Sequence, residues 1–289
     1  MSSFGVTKLV ITFVFALMVS ASAWGGNWNN DEIKPGTNSG FDKFKKHGSK
    51  WKPYNHSILK NSNEARKGRK YQRIELRGGD CFPWGSWNDC KTDRNRLEFL
   101  ALPKQAARGN HCYSLSLKLD PSFKAVYPTS TSLAQIKQTD GPKGSYLGFA
   151  SSPPILMFTA NRKKLQFEWH QLFGDKKNVK TLKTKKNLAN LADILGKWTD
   201  ISWCLDFDKN KIQAWVNGEQ KVDISDATFK WKPKSIYMKY GIYNTHVSAY
   251  KKTWDEPMPT LIVNYDEVRR GTLIEQVDAN INTNLQPVD

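Results

Sequence analysis

The chain has 289 residues, of which 39% are hydrophobic and 12% aromatic, and its formal net charge is +17 at pH 7. This apolar content excludes wholesale disorder, and the lack of a Gly-X-Y or heptad repeat excludes the fibrous classes. The excess of cations indicates a polyanionic partner, which is nucleic acid, an anionic membrane or an acidic polysaccharide.

The first residues have the pattern of a secretory signal peptide. Lys8 precedes the apolar run 9–19, and residues 21–23 read Ala-Ser-Ala, the form of a cleavage site. The apolar run is too short to span a bilayer, which argues against a membrane anchor. We therefore predict cleavage of residues 1–23 and a secreted or periplasmic protein. An exported protein favours an acidic glycan over nucleic acid or a membrane as partner.

The rest of the chain predicts an all-β domain. Residues 24–70 are rich in Gly, Asn and Lys, so we expect an N-terminal extension that packs on a domain formed by residues 71–289. In this domain, segments that alternate apolar and polar residues predict strands at 71–77, 93–101, 111–119, 131–138, 154–160, 164–170, 198–206, 211–216, 235–244 and 261–270. Asn217-Gly218 predicts a hairpin turn, residues 176–186 a basic surface loop, and residues 188–195 are the best helical candidate. Many short strands favour a β-jelly roll, a concanavalin-like sandwich of two antiparallel sheets.

The four cysteines are expected to form disulfides if the chain is exported. Four cysteines allow three pairings. Cys81 and Cys90 bracket a short loop rich in turn formers, whereas Cys112 and Cys204 lie in two predicted strands. We predict these two bridges. A zinc site is disfavoured because the spacing lacks paired C-x-x-C motifs and no His lies at ligand spacing.

Three predicted strands carry long polar side chains on one face, because strand residues alternate between faces. Such a face is also typical of an ordinary exposed sheet. Arg, Gln, Lys and Tyr together suit a concave cleft that binds carboxylates, since they supply bidentate contacts, neutral donors, charge and proton transfer. The residues are Arg94, Arg96 and Glu98, then Gln135 and Lys137, then Tyr237, Lys239 and Tyr243.

The same strands resemble motifs of the jelly-roll polysaccharide lyases. Residues 237–244 (YMKYGIYN) resemble the family's Y-F-K-x-G-x-Y-x, residues 135–137 (QIK) its Q-I-H, and residues 94–99 (RNRLEF) its R-x-R-S-E-L. The segments 215–218 (WVNG) and 265–271 (YDEVRRG) resemble the heparin lyase and glucuronan lyase branch. Residues 73–77 (RIELR) also resemble an alginate lyase string. The resemblance covers residues 70–271 with the motifs in the family's order.

The resemblance implies cleavage of an acidic polysaccharide that contains uronic acid, by β-elimination and without a cofactor. It implies that Arg96 and Gln135 neutralise the uronate carboxylate. It also implies that Tyr243 is the catalytic acid and, for one stereochemistry, the base. We expect the cations Lys239 and Lys137 to lower the pKa of Tyr243 for that second role.

Lys239 matches the lysine of the motif and is expected to bind a carboxylate or sulfate. Further substrate contacts are expected at Arg94, Glu98, Tyr237 and Asn244.

One residue departs from the motif, since Lys137 stands where the family has His. A lysine there neutralises charge, serves as base if burial depresses its pKa, or marks lost activity. His170 shares a strand face with Gln166 and Glu168 and is an alternative catalytic histidine, although its position at a strand end favours an ordinary surface histidine.

Two other functions stay open at this point. One is a non-catalytic protein that binds acidic glycans on the same fold, and the other is a secreted basic protein that binds nucleic acid or lipid through charge alone. A retaining hydrolase is disfavoured because Glu98 has no second carboxylate on its strand face. A structural calcium ion stays open, although Asp206, Asp208 and Asn210 do not form an EF-hand loop. We expect a monomer.

Overall fold

A computed structural model describes residues 32–48, 50–84, 87–139, 153–173, 180–227 and 233–289. The predicted signal peptide lies outside these residues. In chain order the strands are β1 (Glu32–Ile33), β2 (Lys43–Lys46), β3 (His56–Lys60), β4 (Lys70–Leu76), β5 (Pro83–Trp84), β6 (Trp87–Asn88), β7 (Arg94–Leu102), β8 (Gln105–Ala106), β9 (Asn110–Leu119), β10 (Thr131–Thr139), β11 (Leu156–Asn161), β12 (Lys164–Phe173), β13 (Lys180–Asn190), β14 (Trp198–Asp206), β15 (Lys211–Val216), β16 (Glu219–Ile224), β17 (Ser235–Thr245) and β18 (Leu261–Gly271). Two short helices are α1 (Leu191–Ile194) and α2 (Val247–Trp254).

Within the described residues, the strands form two large antiparallel sheets. The first sheet has the order β1-β2-β7-β17-β10-β11-β12-β13, with β8 also pairing to β17. The second sheet has the order β16-β15-β14-β9-β18-β4-β3, and β5 pairs with β6 in a separate hairpin. This confirms the predicted all-β sandwich of two antiparallel sheets.

The core lies between the two sheets. Alternate residues of the first sheet, such as Phe99 and Met238, are fully buried, as are Ile74 and Trp203 of the second. Tyr265 of β18 ties the sheets together, because its buried hydroxyl reaches the carbonyls of Gly241 at 2.8 Å and Leu133 at 3.0 Å. The other face of the first sheet, which points away from this core, carries the polar side chains.

Each strand predicted from alternation is present, and the largest shift is in β12, which extends to Phe173 instead of residue 170. Alternation did not reveal the two-residue strands β1, β5, β6 and β8, nor the longer strands β2, β3, β13 and β16. The basic segment predicted as a loop is a strand from Lys180 onward, and residues 174–179 lie outside the described chain. The predicted helix is reduced to the single turn α1, whereas α2 was not predicted. No helix among the described residues is long and apolar enough to cross a bilayer.

Both predicted disulfides are confirmed. Cys81 pairs with Cys90 across the short loop. Cys112 and Cys204 lie directly opposite each other in β9 and β14, with their Cα atoms 4.1 Å apart.

The described part of segment 24–70 contributes strands to both sheets. β2 pairs with β7 in the first sheet, and β3 pairs with β4 in the second. Just beyond β2, the backbone N–H of His47 donates to the carbonyl of Glu98 at 2.7 Å. This segment therefore extends the polar sheet next to the motif strands.

Gly241 allows β17 to lie close against β7. It has a φ of +132°, and a Cβ atom added there would lie 2.1 Å from the carbonyl oxygen of Leu97 and 2.9 Å from the Cα of Glu98. The neighbouring atoms are backbone and cannot move aside cheaply. The glycine of the Y-F-K-x-G-x-Y-x pattern is thus required by strand packing.

We expect Gly241→Ala to lower the free energy of unfolding by about 3 kcal/mol or more, since it combines a backbone clash with an unfavourable φ. Gly79→Ala is the control, because Gly79 also has a positive φ, +84°, but has no atom within 4 Å of the added Cβ. Its cost should be limited to about 1–2 kcal/mol of backbone strain. Denaturant unfolding measures both, and equal losses would contradict the packing requirement.

Candidate active site

The polar face of the first sheet brings the three motif strands together. β17 lies between β7 and β10, so that Tyr243 is opposite Arg96, Gly241 is opposite Glu98, and Lys239 is opposite Gln135. Tyr237 is opposite Lys137. The predicted polar residues therefore form one cluster on three adjacent strands.

Glu98 is the centre of this cluster. It is only 1% exposed, and its carboxylate lies 3.1 Å from Lys239 Nζ and 3.4 Å from a guanidinium nitrogen of Arg96. The amide of Gln135 donates to its other oxygen. Burial alone would raise the pKa of Glu98, but these cations hold that pKa below its usual value. Glu98 is therefore ionised, and both of its carboxylate oxygens already accept hydrogen bonds from Arg96, Gln135 and Lys239.

Arg96 is held by a second carboxylate. Its Nη2 lies 2.9 Å from Asp89 Oδ1, and Asp89 also accepts a hydrogen bond of 2.9 Å from the indole of Trp87. Asp89 and Trp87 both lie in the segment that the Cys81–Cys90 disulfide closes. The guanidinium carbon lies 3.9 Å from the ring centroid of Tyr243. The only sequence signal for Asp89 was its position next to Cys90.

Tyr243 lies beside two arginines. The Nε of Arg94 donates to its hydroxyl at 3.0 Å, and Arg96 stacks on its ring. Burial raises the pKa of Tyr243, and the charges of Arg96 and Arg94 offset this only in part. The prediction of a lowered pKa caused by Lys239 and Lys137 is therefore wrong. The hydroxyl is protonated at neutral pH, which suits a proton donor.

Two lysines flank the cluster, of which Lys239 is buried and Lys137 is half-buried. Burial lowers the pKa of Lys239 to about 8, although the charge of Glu98 opposes the shift. Burial and the charge of Lys239 lower the pKa of Lys137 to about 7. A substantial fraction of Lys137 is thus a neutral amine near neutral pH.

His47 also belongs to the cluster, although no motif pointed to it. Its Nδ1 lies 3.2 Å from Lys239 Nζ. Burial and the charges of three neighbouring cations hold the pKa of His47 far below its usual range. The imidazole is therefore neutral and accepts a hydrogen bond from the ammonium group.

His170 lies in a second polar cluster, on the same face but further along the sheet. It is 7% exposed, and its Nε2 lies 3.4 Å from Glu168 Oε2. Glu168 is also bound by Lys185 at 3.1 Å and by the hydroxyl of Thr159 at 3.1 Å. Burial lowers the pKa of His170. His170 is thus a buried histidine paired with a carboxylate, outside the Glu98 cluster.

Tyr237 and Asn244, which were both expected to contact the substrate, lie on opposite faces of β17. Tyr237 is half-buried on the polar face near Lys104, and burial raises its pKa to about 12. Asn244 lies on the opposite face and is fully buried, where it donates to Asn95 at 2.8 Å and accepts from Thr131 at 2.7 Å. It offers no surface to a glycan, and we do not retain it as a substrate contact.

The described residues contain no group of three or more His, Cys, Asp or Glu side chains that would hold a metal ion. The Asp206 carboxylate instead accepts hydrogen bonds from the backbone of Asp208 at 3.0 Å and Lys209 at 2.8 Å, as in an ordinary turn.

The two-sheet fold, with arginine, glutamine, lysine and tyrosine on the polar face of one sheet, matches what the motif resemblance implied. A family model described as polysaccharide lyase matches residues 33–269. The chain belongs to this polysaccharide lyase family, which confirms the predicted enzyme class. A search of curated protein sequences gave no significant match.

Solved structures show the same fold. The endo-β-1,4-glucuronan lyase of the fungus Trichoderma reesei is similar with a TM-score of 0.60 and 17% identity, over 85% of this chain and 96% of that one. A family 7 alginate lyase, A1-II′, in complex with substrate is similar with a TM-score of 0.50 and 12% identity, over 78% and 84% of the two chains.

We expect Glu98→Gln to lower the free energy of unfolding by about 3–5 kcal/mol, because it leaves buried cations without their shared counter-charge. Glu219→Gln is the control, since Glu219 is paired with Lys221 but its side chain is 71% exposed. That change should leave stability nearly unaltered. Denaturant unfolding at neutral pH is the measurement, and a stable Glu98→Gln variant would contradict the central role of this carboxylate.

Proposed function

We propose that the protein cleaves a polysaccharide containing uronic acid by β-elimination. The observation that carries this proposal is the cluster of Arg96, Gln135 and Lys239 around the buried Glu98, next to a protonated Tyr243. Membership of the polysaccharide lyase family supports it. Glucuronan and alginate, named for the similar structures, are the first substrates to test.

The first requirement of the reaction is neutralisation of the uronate carboxylate. The proton at C5 is weakly acidic while the adjacent carboxylate is charged, so donors must stabilise the negative charge that develops there. Arg96 and Gln135 are in place for this role because Glu98 and Asp89 fix their orientation. Lys239 adds positive charge to the same cluster, and His47 positions the ammonium group of Lys239.

We assign Lys137 as the base and Tyr243 as the acid. Nζ of neutral Lys137 takes the C5 proton, the C–H electrons form the C4–C5 double bond, and the C4–O4 bond breaks. Tyr243 donates its proton to the departing O4, and Arg94 and Arg96 stabilise the phenolate that remains. A base with a pKa near the working pH is favoured, which distinguishes Lys137 from the much weaker base His47.

The product has a non-reducing end with a conjugated double bond that absorbs in the near ultraviolet. Secretion and a monomeric state belong to the same proposal, and secretion rests on the pattern of residues 1–23.

We expect Tyr243→Phe to reduce the rate of near-ultraviolet absorbance increase on glucuronan or alginate by about 10²–10⁴-fold, because the leaving oxygen loses its proton donor. Tyr127→Phe removes a tyrosine hydroxyl near Arg162, away from the cluster, and should remain active. Normal cleavage by Tyr243→Phe would contradict the mechanism. If the wild-type protein binds uronate glycans without any absorbance change, the non-catalytic glycan-binding function is favoured instead.

We expect Lys137→Gln and Lys137→Arg each to lose about 100-fold or more in kcat/KM, whereas Lys137→His, which restores the family's Q-I-H motif, should retain activity. The base must be neutral, so wild-type kcat/KM should rise with pH through an apparent pKa of about 7. The pH–rate profiles of the three variants test this. An Arg variant as active as wild type would show that the residue supplies charge only.

A further inference from the structure

The far edge of the polar face carries a second group of cations that the catalytic cluster does not use. Antiparallel pairing aligns Gln135 of β10 with Met157 of β11, Glu168 of β12 and Lys185 of β13. In the next row, His170 is opposite Lys183. Lys183 and Lys185 therefore share the face of the sheet on which Gln135 lies.

The separation from the catalytic cluster suits an oligosaccharide. Adjacent strands are roughly 4.8 Å apart, so β13 lies about 14 Å from β10. A single sugar cannot bridge this gap, whereas a chain lying across the sheet can.

Glu168 fixes one of these cations without burying it. The carboxylate is 4% exposed and binds Lys185 at 3.1 Å, while the Lys185 side chain remains 44% exposed. Burial opposes ionisation, but the hydrogen bond with His170 and the charge of Lys185 lower the pKa of Glu168 to about 2. Lys183 is exposed beside them. Two lysines and one carboxylate leave a net positive charge on this face of the sheet.

We propose that Lys183 and Lys185 form a distal subsite for a carboxylate of the same polyuronate chain whose cleavage is proposed above. This inference rests on the proposed function for its ligand class. Lysine acts as a point charge and tolerates varied carboxylate geometry, which suits a contact remote from the chemistry. The subsite favours long chains over short ones.

β13 itself provides a control of equal charge. Lys180 and Lys186 alternate with Lys183 and Lys185 and so lie on the opposite strand face. The double variant Lys183→Gln/Lys185→Gln removes two charges from the polar face, and Lys180→Gln/Lys186→Gln removes two from the other face.

The experiment measures binding of oligoglucuronates and oligoalginates of increasing length by calorimetry, on a Tyr243→Phe background in which cleavage is expected to be slowed. We expect the Lys183/Lys185 double variant to weaken binding of long oligomers by about five- to tenfold, and binding of the shortest ones by less than twofold. The Lys180/Lys186 double variant should match its parent at every length.

Equal losses of affinity in the two double variants would show an effect of general charge and would overturn the distal subsite. So would a Lys183/Lys185 double variant that binds long oligomers as tightly as its parent, or one that loses the same affinity at every length. Absence of near-ultraviolet product from the wild-type protein would contradict the lyase mechanism alone, because the binding series does not depend on turnover.

Discussion

The buried carboxylate of Glu98 is the interaction on which the site depends. Arg96 and Lys239 are both nearly excluded from water, and two such cations cannot be buried side by side without a shared counter-charge. Glu98 supplies it and also orients Gln135. Glu98 and Asp89 do not neutralise all three of the cations Arg94, Arg96 and Lys239. The remaining positive potential, together with burial, keeps Lys137 partly deprotonated. In the proposed mechanism, the same arrangement thus provides the cations that bind the uronate carboxylate and the amine that acts as base.

The cluster is assembled from distant parts of the chain. Asp89 reaches Arg96 from the loop closed by the Cys81–Cys90 disulfide, and His47 reaches Lys239 from the strand segment near the N-terminus. The cluster therefore forms only when these distant segments have folded against the first sheet. Part of the +17 charge also has a location, since one face of the first sheet carries six cations, Arg94, Arg96, Lys137, Lys183, Lys185 and Lys239.

Sequence reasoning succeeded where the physical signal is local. Alternation located the strands of the core, and the motifs placed Arg96, Gln135 and Tyr243 on one face. It failed for β2, β3 and β13, because these strands lie at or next to a sheet edge and have few buried residues, so that they show no clear apolar period. It also gave the wrong sign for the pKa of Tyr243, because the burial of a side chain depends on the packing of other strands. His47 was missed for the same reason, since its neighbours are remote in sequence.

A crystal structure of the Tyr243→Phe variant bound to an oligoglucuronate tests the proposed site. We expect a uronate carboxylate within hydrogen-bond distance of both Arg96 and Gln135, with C5 facing Lys137 and O4 facing the ring of residue 243. An oligosaccharide bound away from the polar face of the first sheet, or one crossing it with no carboxylate at Arg96 and Gln135, would contradict the account.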